Sequence, residues 1–316
     1  MDAALTRFSG VWERLWPEAT PVGLAVSGGP DSVALMLLAS AVLPGRFAVA
    51  TVDHGLRAES AGEAGMVARL CRERGVAHRT ITLALPGGAG VQARARTARY
   101  AALGGWLRAE GLGALVTAHH ADDQAETFVM RLNRGAGVRG LAGMRARAAV
   151  PGHPDVPLLR PLLGWRRAEL ATLVAAAGIT PADDPSNRDP RFERVRVRAA
   201  LASGGGLDID GLIDSMAHLA DADAAIEWMA ERAFATARRD ADGLVLAMAV
   251  PRAVALRVLE RIVAELGAGQ PRGPELARWH DALEAGGIAT LAGVRGEGRG
   301  VEWRFTRAAP HRGGDK

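Results

Sequence analysis

The stretch LAVSGGPDSVALMLLA, Leu24 to Ala39, joins an apolar run to a helix-like run through two serines, two glycines, a proline and an acid. Ser27, Gly28, Gly29, Pro30, Asp31 and Ser32 sit where a buried strand ends and a helix begins. Glycines let backbone N–H groups approach an anion closely, Ser27 and Ser32 add hydroxyl donors, and a helix N-terminus contributes roughly half a positive charge. The loop reads as a phosphate cradle. The common nucleotide loop GxxxxGK[ST] requires a lysine, and the only lysine here is Lys316, so this is a different loop. A carboxylate beside phosphates repels them unless a divalent cation lies between, which assigns Asp31 to Mg²⁺. The plainer alternative is an ordinary strand-to-helix turn with Asp31 as a cap.

Outward from this loop, short apolar runs alternate with amphipathic ones. Val22 to Val26, Phe47 to Val52, Val76 to Leu83 and Ala114 to Ala118 read as buried strands. Asp31 to Leu43, Ser60 to Arg74, Val91 to Glu110 and Ala121 to Arg134 read as helices. Repeated units of this size predict an α/β fold, a parallel sheet with helices on both faces and ligands beyond the carboxyl ends of its strands. The loops at those ends are Ser27 to Pro30, Asp53 to Arg57 and His119 to Ala121.

The glycine-rich stretch Ser203 to Gly211 reads as a linker, dividing the chain into domains 1–203 and 204–316. The second, smaller domain is expected to be mainly helical, with helices over Leu212 to Arg239, Pro251 to Leu266 and Pro274 to Ala285. Strand-like runs lie near Leu244 to Val250 and Val301 to Phe305, and the tail from Ala308 is expected to be disordered.

A length of 316 residues with 48% hydrophobic content suits two domains. No apolar run reaches the roughly eighteen residues of a membrane span, and Asp2 and Glu13 lie where a signal peptide is apolar. A soluble cytoplasmic protein is expected, with no membrane and no obligatory protein partner. The single cysteine, Cys71, excludes an internal disulfide, a CxxC pair and a cysteine-only zinc site. The net charge is +4 and nearly all cations are arginine. Between Arg131 and Arg147 lie five arginines and no acid, in a glycine-rich segment able to follow a phosphate backbone. The seven tryptophans read as packing residues.

Two further stretches carry candidate chemistry. TVDHGLRAES places Asp53 and His54 after a strand, at the sheet edge where adenine and ribose would lie, although Asp53 could equally cap the following turn. TAHHADDQAETFVMRLNRGAGVRGLAGM, Thr117 to Met144, starts a helix with Asp122 and Asp123 and puts Glu126 on the same face as Asp123. Two converging acids bind a cation, either a metal held with His119 and His120 or an ammonium group, unless they are only a solvated helix cap.

The SGGxDS pattern is the signature of the PP-loop, or N-type, ATP pyrophosphatases. With the runs LLRPLLGWRRAEL (Leu158 to Leu170) and DDPSNRDPRFERVRVRAAL (Asp183 to Leu201), the order and spacing closely resemble the tRNA(Ile)-lysidine synthases over about residues 20 to 200. The resemblance implies an adenine nucleotide α-hydrolase-like, Rossmann-like first domain. It further implies ATP and Mg²⁺, free L-lysine and a CAU-anticodon tRNA(Ile) as cofactors and partners. ATP would adenylate the C2 oxygen of the wobble cytidine (position 34) with loss of pyrophosphate, and the lysine ε-amine would then displace AMP. ATP would meet Ser27 to Ser32, Asp53 and His54; Asp123 and Glu126 would hold lysine; Arg99 and Arg198 would contact the nucleotide or the cytidine. The charged surface assigns tRNA contacts to Arg131, Arg134, Arg139, Arg194 and Arg196. Relatives usually carry asparagine between the first arginines of RNRIR where this chain has Val195, which removes one amide contact and leaves the charges. The length leaves little room for the extra C-terminal domain of longer members, so a short form is expected. Two rival readings are a PP-loop tRNA thiolase and a non-catalytic nucleotide-binding module. The lone Cys71 counts against the first, and the retained Asp31, Asp123 and Glu126 count against the second.

Overall fold

The structure, a computed structural model, describes residues 2–55, 60–84, 90–183, 188–203 and 206–308. Arg57, two glycines of the expected linker and the tail after Ala308 lie outside the described residues. The chain forms two compact units, Met1–Met216 and Ala217–Lys316.

The first unit runs α1 (Asp2–Leu15), β1 (Val22–Ala25), α2 (Pro30–Val42), β2 (Phe47–Asp53), α3 (Ser60–Glu73), β3 (His78–Thr82), α4 (Val91–Ala109), β4 (Leu115–Val116) and α5 (Ala121–Leu132). It continues through α6 (Val138–Leu141), β5 (Arg147–Val150), β6 (His153–Leu159), α7 (Arg167–Ala176) and α8 (Glu193–Ala202) into α9 (Ile209–Ala235). The unit boundary falls inside α9. The sheet order is β3-β2-β1-β4-β6-β5. The first five strands are parallel and β5 is an antiparallel hairpin partner of β6.

Strand alternation sorts the core into two layers. Val22, Leu24, Val49, Val116 and Leu159 meet α1, α2, α3 and α7, whereas Ala48, Ala50, Leu115 and Leu158 meet Tyr100, Leu103, Trp106 and Leu107 of α4. The α4 face of β1 and β2 is lined with small residues because α4 brings large rings. A Cβ on Gly23 would enter the Trp106 ring and lie 2.5 Å from Leu107. One expected strand differs from its reading: β3 is the sheet edge, with Arg79, Thr80 and Thr82 exposed, because nothing pairs beyond it.

A third cluster joins Ala125 of α5 to Val197 and Leu201 of α8, with Ile209 and Leu212 of α9 packed against it. This small apolar seam holds α8 across α5.

The second unit adds β7 (Arg238–Arg239), β8 (Gly243–Ala247), α10 (Arg252–Leu266), α11 (Gly273–Glu284), β9 (Ile288–Leu291), β10 (Val294–Arg299) and β11 (Glu302–Arg307). Its helices cover an antiparallel sheet of order β7-β8-β11-β10-β9, of which sequence reading found only the regions of β8 and β11. Val258, Ile262, Trp279, Leu283, Leu246 and Phe305 form its core. Among the described residues no helix is long and apolar enough to cross a membrane.

Replacing Gly23 with alanine should lower unfolding free energy by about 1–3 kcal/mol through overpacking. Urea titration would register this as a lower midpoint at unchanged slope; an unchanged midpoint would refute the close approach of α4.

Candidate active site

The loop between β1 and α2 is built by its own side chains. Ser32 is buried; its hydroxyl donates to the Gly29 carbonyl at 2.9 Å, accepts from the Ser27 N–H at 3.2 Å, and lies 3.3 Å from the Ser27 hydroxyl. Gly28 has φ +93°, a conformation that side chains resist, and its carbonyl accepts from the Ala182 N–H at 2.9 Å. No side chain caps α2, and Pro30 stands in its first turn. A helix N-terminus without a side-chain cap is the arrangement that receives a phosphate. Asp31, in that first turn, has one buried carboxylate oxygen, Oδ1, without a hydrogen-bond partner among the described residues. It does not act as a cap.

Asp53 ends β2 and accepts from the Gly55 N–H at 2.8 Å and the Ser60 hydroxyl at 2.6 Å. Those bonds, Ser60 first, hold its carboxyl below the usual range. Both oxygen contacts close the turn, the alternative left open by the sequence. His54 has a buried Nδ1 without a hydrogen-bond partner among the described residues, and burial followed by the charge of Arg99 pushes its imidazole downward.

The start of α5 is organised by His120, which is 0% exposed. The His120 backbone N–H donates to Asp123 Oδ2 at 3.2 Å and closes the first turn of α5. The ring also lies 3.4 Å from Asp31, 3.5 Å from Asp122 and 3.6 Å from the Asp123 carboxylate. Burial opposes a charge on this ring, but Asp122, Asp31 and Asp123 outweigh it and raise the imidazole to about 9. One imidazolium thus ties the loop acid Asp31 to the acids of α5. Asp122 also accepts from the Arg167 N–H at 2.8 Å and is held below the usual carboxylate range, its burial outweighed by His120 and Arg167. The adjacent histidines do not form a metal pair: His119 Nδ1 lies 2.9 Å from the Thr117 hydroxyl. Burial, then Arg160, Arg194, Arg96 and Arg99, push His119 down to about 3, so it is neutral.

Glu126 is 1% exposed, and both its oxygens are engaged. Arg198 donates at 2.7 Å, Arg194 at 2.7 Å and Arg167 at 3.1 Å, and Arg194 also reaches Asp123 at 3.4 Å. Burial alone would raise the Glu126 carboxyl; the guanidiniums of Arg198 and Arg194 reverse this and keep it ionised. Arg194 and Arg198 are four residues apart on one face of α8, so both reach the same acid. Arg196, on the other face, donates instead to the carbonyls of Pro190 at 2.9 Å and Arg191 at 3.1 Å. Among the other arginines expected at a tRNA surface, Arg131 donates to the Gly140 carbonyl at 2.8 Å, Arg134 pairs with Glu193, and Arg139 is exposed on α6. Arg99 lies with its guanidinium 5.2 Å from the Tyr100 ring centre.

Sequence reading missed Arg160, Arg166 and Arg167 as parts of the site. All three lie in the LLRPLLGWRRAEL run that carried the resemblance, which assigned them no role. Cys71 is buried and its thiol is pushed up to about 11 by burial, which makes it a packing residue rather than a nucleophile. Among the described residues, the one group of three clustered metal-type ligands is His280, Asp281 and Glu284, and Arg252 already donates to Asp281 there.

The raised imidazole of His120 contributes stability that is complete below about pH 6.5 and is lost as pH rises through about 9. Melting temperatures of the wild-type protein should fall across that window, and His120→Gln should be lower and flatter over it; parallel curves would refute the buried imidazolium. Glu126→Gln leaves three guanidiniums around a neutral amide and should cost about 3–5 kcal/mol by denaturant titration.

The chain matches the PP-loop domain family over residues 6–221. It is 59% identical over 314 residues to a tRNA(Ile)-lysidine synthase of Novosphingobium aromaticivorans, covering 99% of this chain and 96% of that protein. It is 40% identical over 304 residues to a tRNA(Ile)-lysidine synthase of Zymomonas mobilis, covering 94% and 91%. Among solved structures, the fold resembles a U34-tRNA thiolase from Methanococcus maripaludis, with a TM-score of 0.56 at 16% identity, covering 70% of this chain and 80% of that one. That likeness is one of fold. Identity sustained along nearly the whole length places the chain in a narrower group: it belongs to the tRNA(Ile)-lysidine synthase family, on an ATP-binding PP-loop domain.

Proposed function

We propose that this protein joins free L-lysine to C2 of the wobble cytidine, position 34, of a CAU-anticodon tRNA(Ile), consuming ATP in the cytoplasm. The observation that carries the reading is the His120 bridge, which puts the phosphate-type loop and the acids of α5 in one site.

In the first step the cytosine C2 oxygen forms a bond to the α-phosphorus of ATP, and the α–β anhydride bond breaks to release pyrophosphate. Ser27, Gly28, Gly29, Pro30 and Ser32 grip the leaving group through hydroxyls and the open end of α2. The unpartnered Oδ1 of Asp31 fits a hard divalent cation, which keeps most of its waters and takes one or two carboxylates. Mg²⁺ bound there would neutralise charge growing on the pyrophosphate. Asp53 and His54 stand beside the adenosine, Asp53 through the turn it closes.

In the second step the ε-amine attacks C2, the C2–O bond to AMP breaks, and the nitrogen loses a proton. Asp123 and Glu126 present the lysine. Arg194 spans both acids, so an arriving ammonium competes with that guanidinium for the same oxygens. The released Arg194 is then available to the RNA, with Arg131, Arg134, Arg139 and Arg196 along the backbone and Arg99 and Arg198 near the reacting nucleotide.

Incubation with ATP, labelled lysine and a CAU-anticodon transcript should give lysine-dependent AMP and label on position 34. AMP formation indifferent to lysine, or turnover that requires a sulfur donor, would overturn the reading. Asp31→Ala should abolish pyrophosphate release by at least about 100-fold, whereas Asp123→Asn should raise the KM for lysine more than that for ATP. Equal losses for both substrates would remove Asp123 from the amine site.

A further inference from the structure

Arg96 and Arg99 of α4 and Arg160 just past β6 lie about His119 and Tyr100, and Arg131 of α5 lies near Arg160. The guanidinium of Arg96 is 5.0 Å from the Tyr100 ring centre and that of Arg99 is 5.2 Å. Arg160 is within electrostatic reach of Arg96, Arg131 and the Tyr100 hydroxyl. Among the described residues no carboxylate pairs with any of these four cations. Arg131 and Arg160 donate only to carbonyls, those of Gly140 at 2.8 Å and Arg145 at 2.7 Å. Two polar atoms here are buried without a partner, Arg160 Nε and the hydroxyl of Tyr100, a residue 1% exposed. Elsewhere in this unit guanidiniums commonly meet acids, as in Arg7 with Glu169 or Arg147 with Glu18. Like charges collected in a half-buried place repel one another, and an orphaned buried donor costs free energy. An anion relieves both.

We infer that this cluster is a binding site for an RNA backbone phosphate beside the target nucleotide, separate from the loop that receives the phosphates of ATP. It rests on the proposed function, because the tRNA is what would bring such a phosphate. The separation follows from topology. α4 covers one face of the sheet and α2 packs on the other, and β4 lies between β1, which leads to the loop, and β6, which leads to Arg160. Two strand spacings amount to about 10 Å. Burial first, and then the charges of Arg160, Arg194, Arg96 and Arg99, hold the adjoining His119 neutral.

The test is the double variant Arg96→Gln/Arg160→Gln, with Arg96→Gln alone as a fallback at an exposed position and melting curves to verify folding. Binding of a CAU anticodon stem-loop RNA and of ATP is measured separately across a salt series. Expected is a roughly tenfold loss of RNA affinity, a salt slope shallower by about 1.4 for two lost contacts to single-stranded RNA, and unchanged ATP affinity. Loss of ATP affinity with intact RNA binding would reassign the site to the nucleotide and overturn the inference. Full RNA affinity in both variants would overturn it while leaving the proposed function standing. Failure of the wild-type protein to bind the RNA would overturn both.

Discussion

A carboxylate removed from water to the extent of Glu126 needs counter-charges, and everything around the start of α5 is arranged to supply them. Desolvating an unpaired ion costs several kcal/mol, more than the small apolar seam of Ala125, Val197 and Leu201 can offset. The seam brings α8 against α5; the three guanidiniums decide its register, because only one rotation of α8 lets Arg194 and Arg198 reach the same acid. Arg167 does the same for α7, with its backbone N–H on Asp122 and its side chain on Glu126. Three helices are thus fixed to one another by polar contacts whose geometry is more restrictive than apolar packing.

This network divides the site by charge. Asp31, Asp122 and Asp123 surround one imidazolium, while Arg96, Arg99, Arg160 and Arg194 act on a neutral imidazole one residue earlier in the chain. The two neighbouring histidines respond to opposite fields. An acidic half suits cations, such as a divalent metal or an ammonium group, and a basic half suits phosphates; a reaction that must bring an amine to a polyanion requires the two near each other, and Arg194 on Asp123 and Glu126 joins them.

Much of this was legible in the chain, and the rest was hidden for identifiable reasons. The loop around Asp31 is local, six consecutive residues whose types state their function, and the parallel sheet followed from apolar runs at regular spacing. Glu126 stood out as an acid on the Asp123 face, but its partners Arg167, Arg194 and Arg198 lie 41, 68 and 72 residues away. Nothing in a helical pattern reports so distant a pairing, so the burial of this acid under three guanidiniums was not legible. The strands β9 and β10 were invisible for a different reason. Gly296 and Gly298 weaken any strand signal, yet they are small because Leu283 and Trp279 press on the backbone there. Tertiary packing imposed residues that local propensity disfavours. The sequence left Asp53 between two roles, and the bonds from the Gly55 N–H and the Ser60 hydroxyl show it closing the turn.

The likeness to the U34-tRNA thiolase separates what the sheet contributes from what its loops contribute. That protein carries a [4Fe–4S] cluster, and such clusters are held by several cysteine thiolates. This chain has one cysteine, buried against Met36 with a sulfur–sulfur separation of 3.6 Å. The likeness is therefore one of sheet and helices, and the loop at the end of β1 is built by this chain's own Ser27, Gly28 and Ser32. Beyond β4 and β6 this chain carries His120 with Asp122 and Asp123, and a set of arginines that includes Arg160 and Arg167. Such side chains can change at little cost to the fold, because they project from strand ends and helix starts, and the core beneath them needs only apolar residues of the right size.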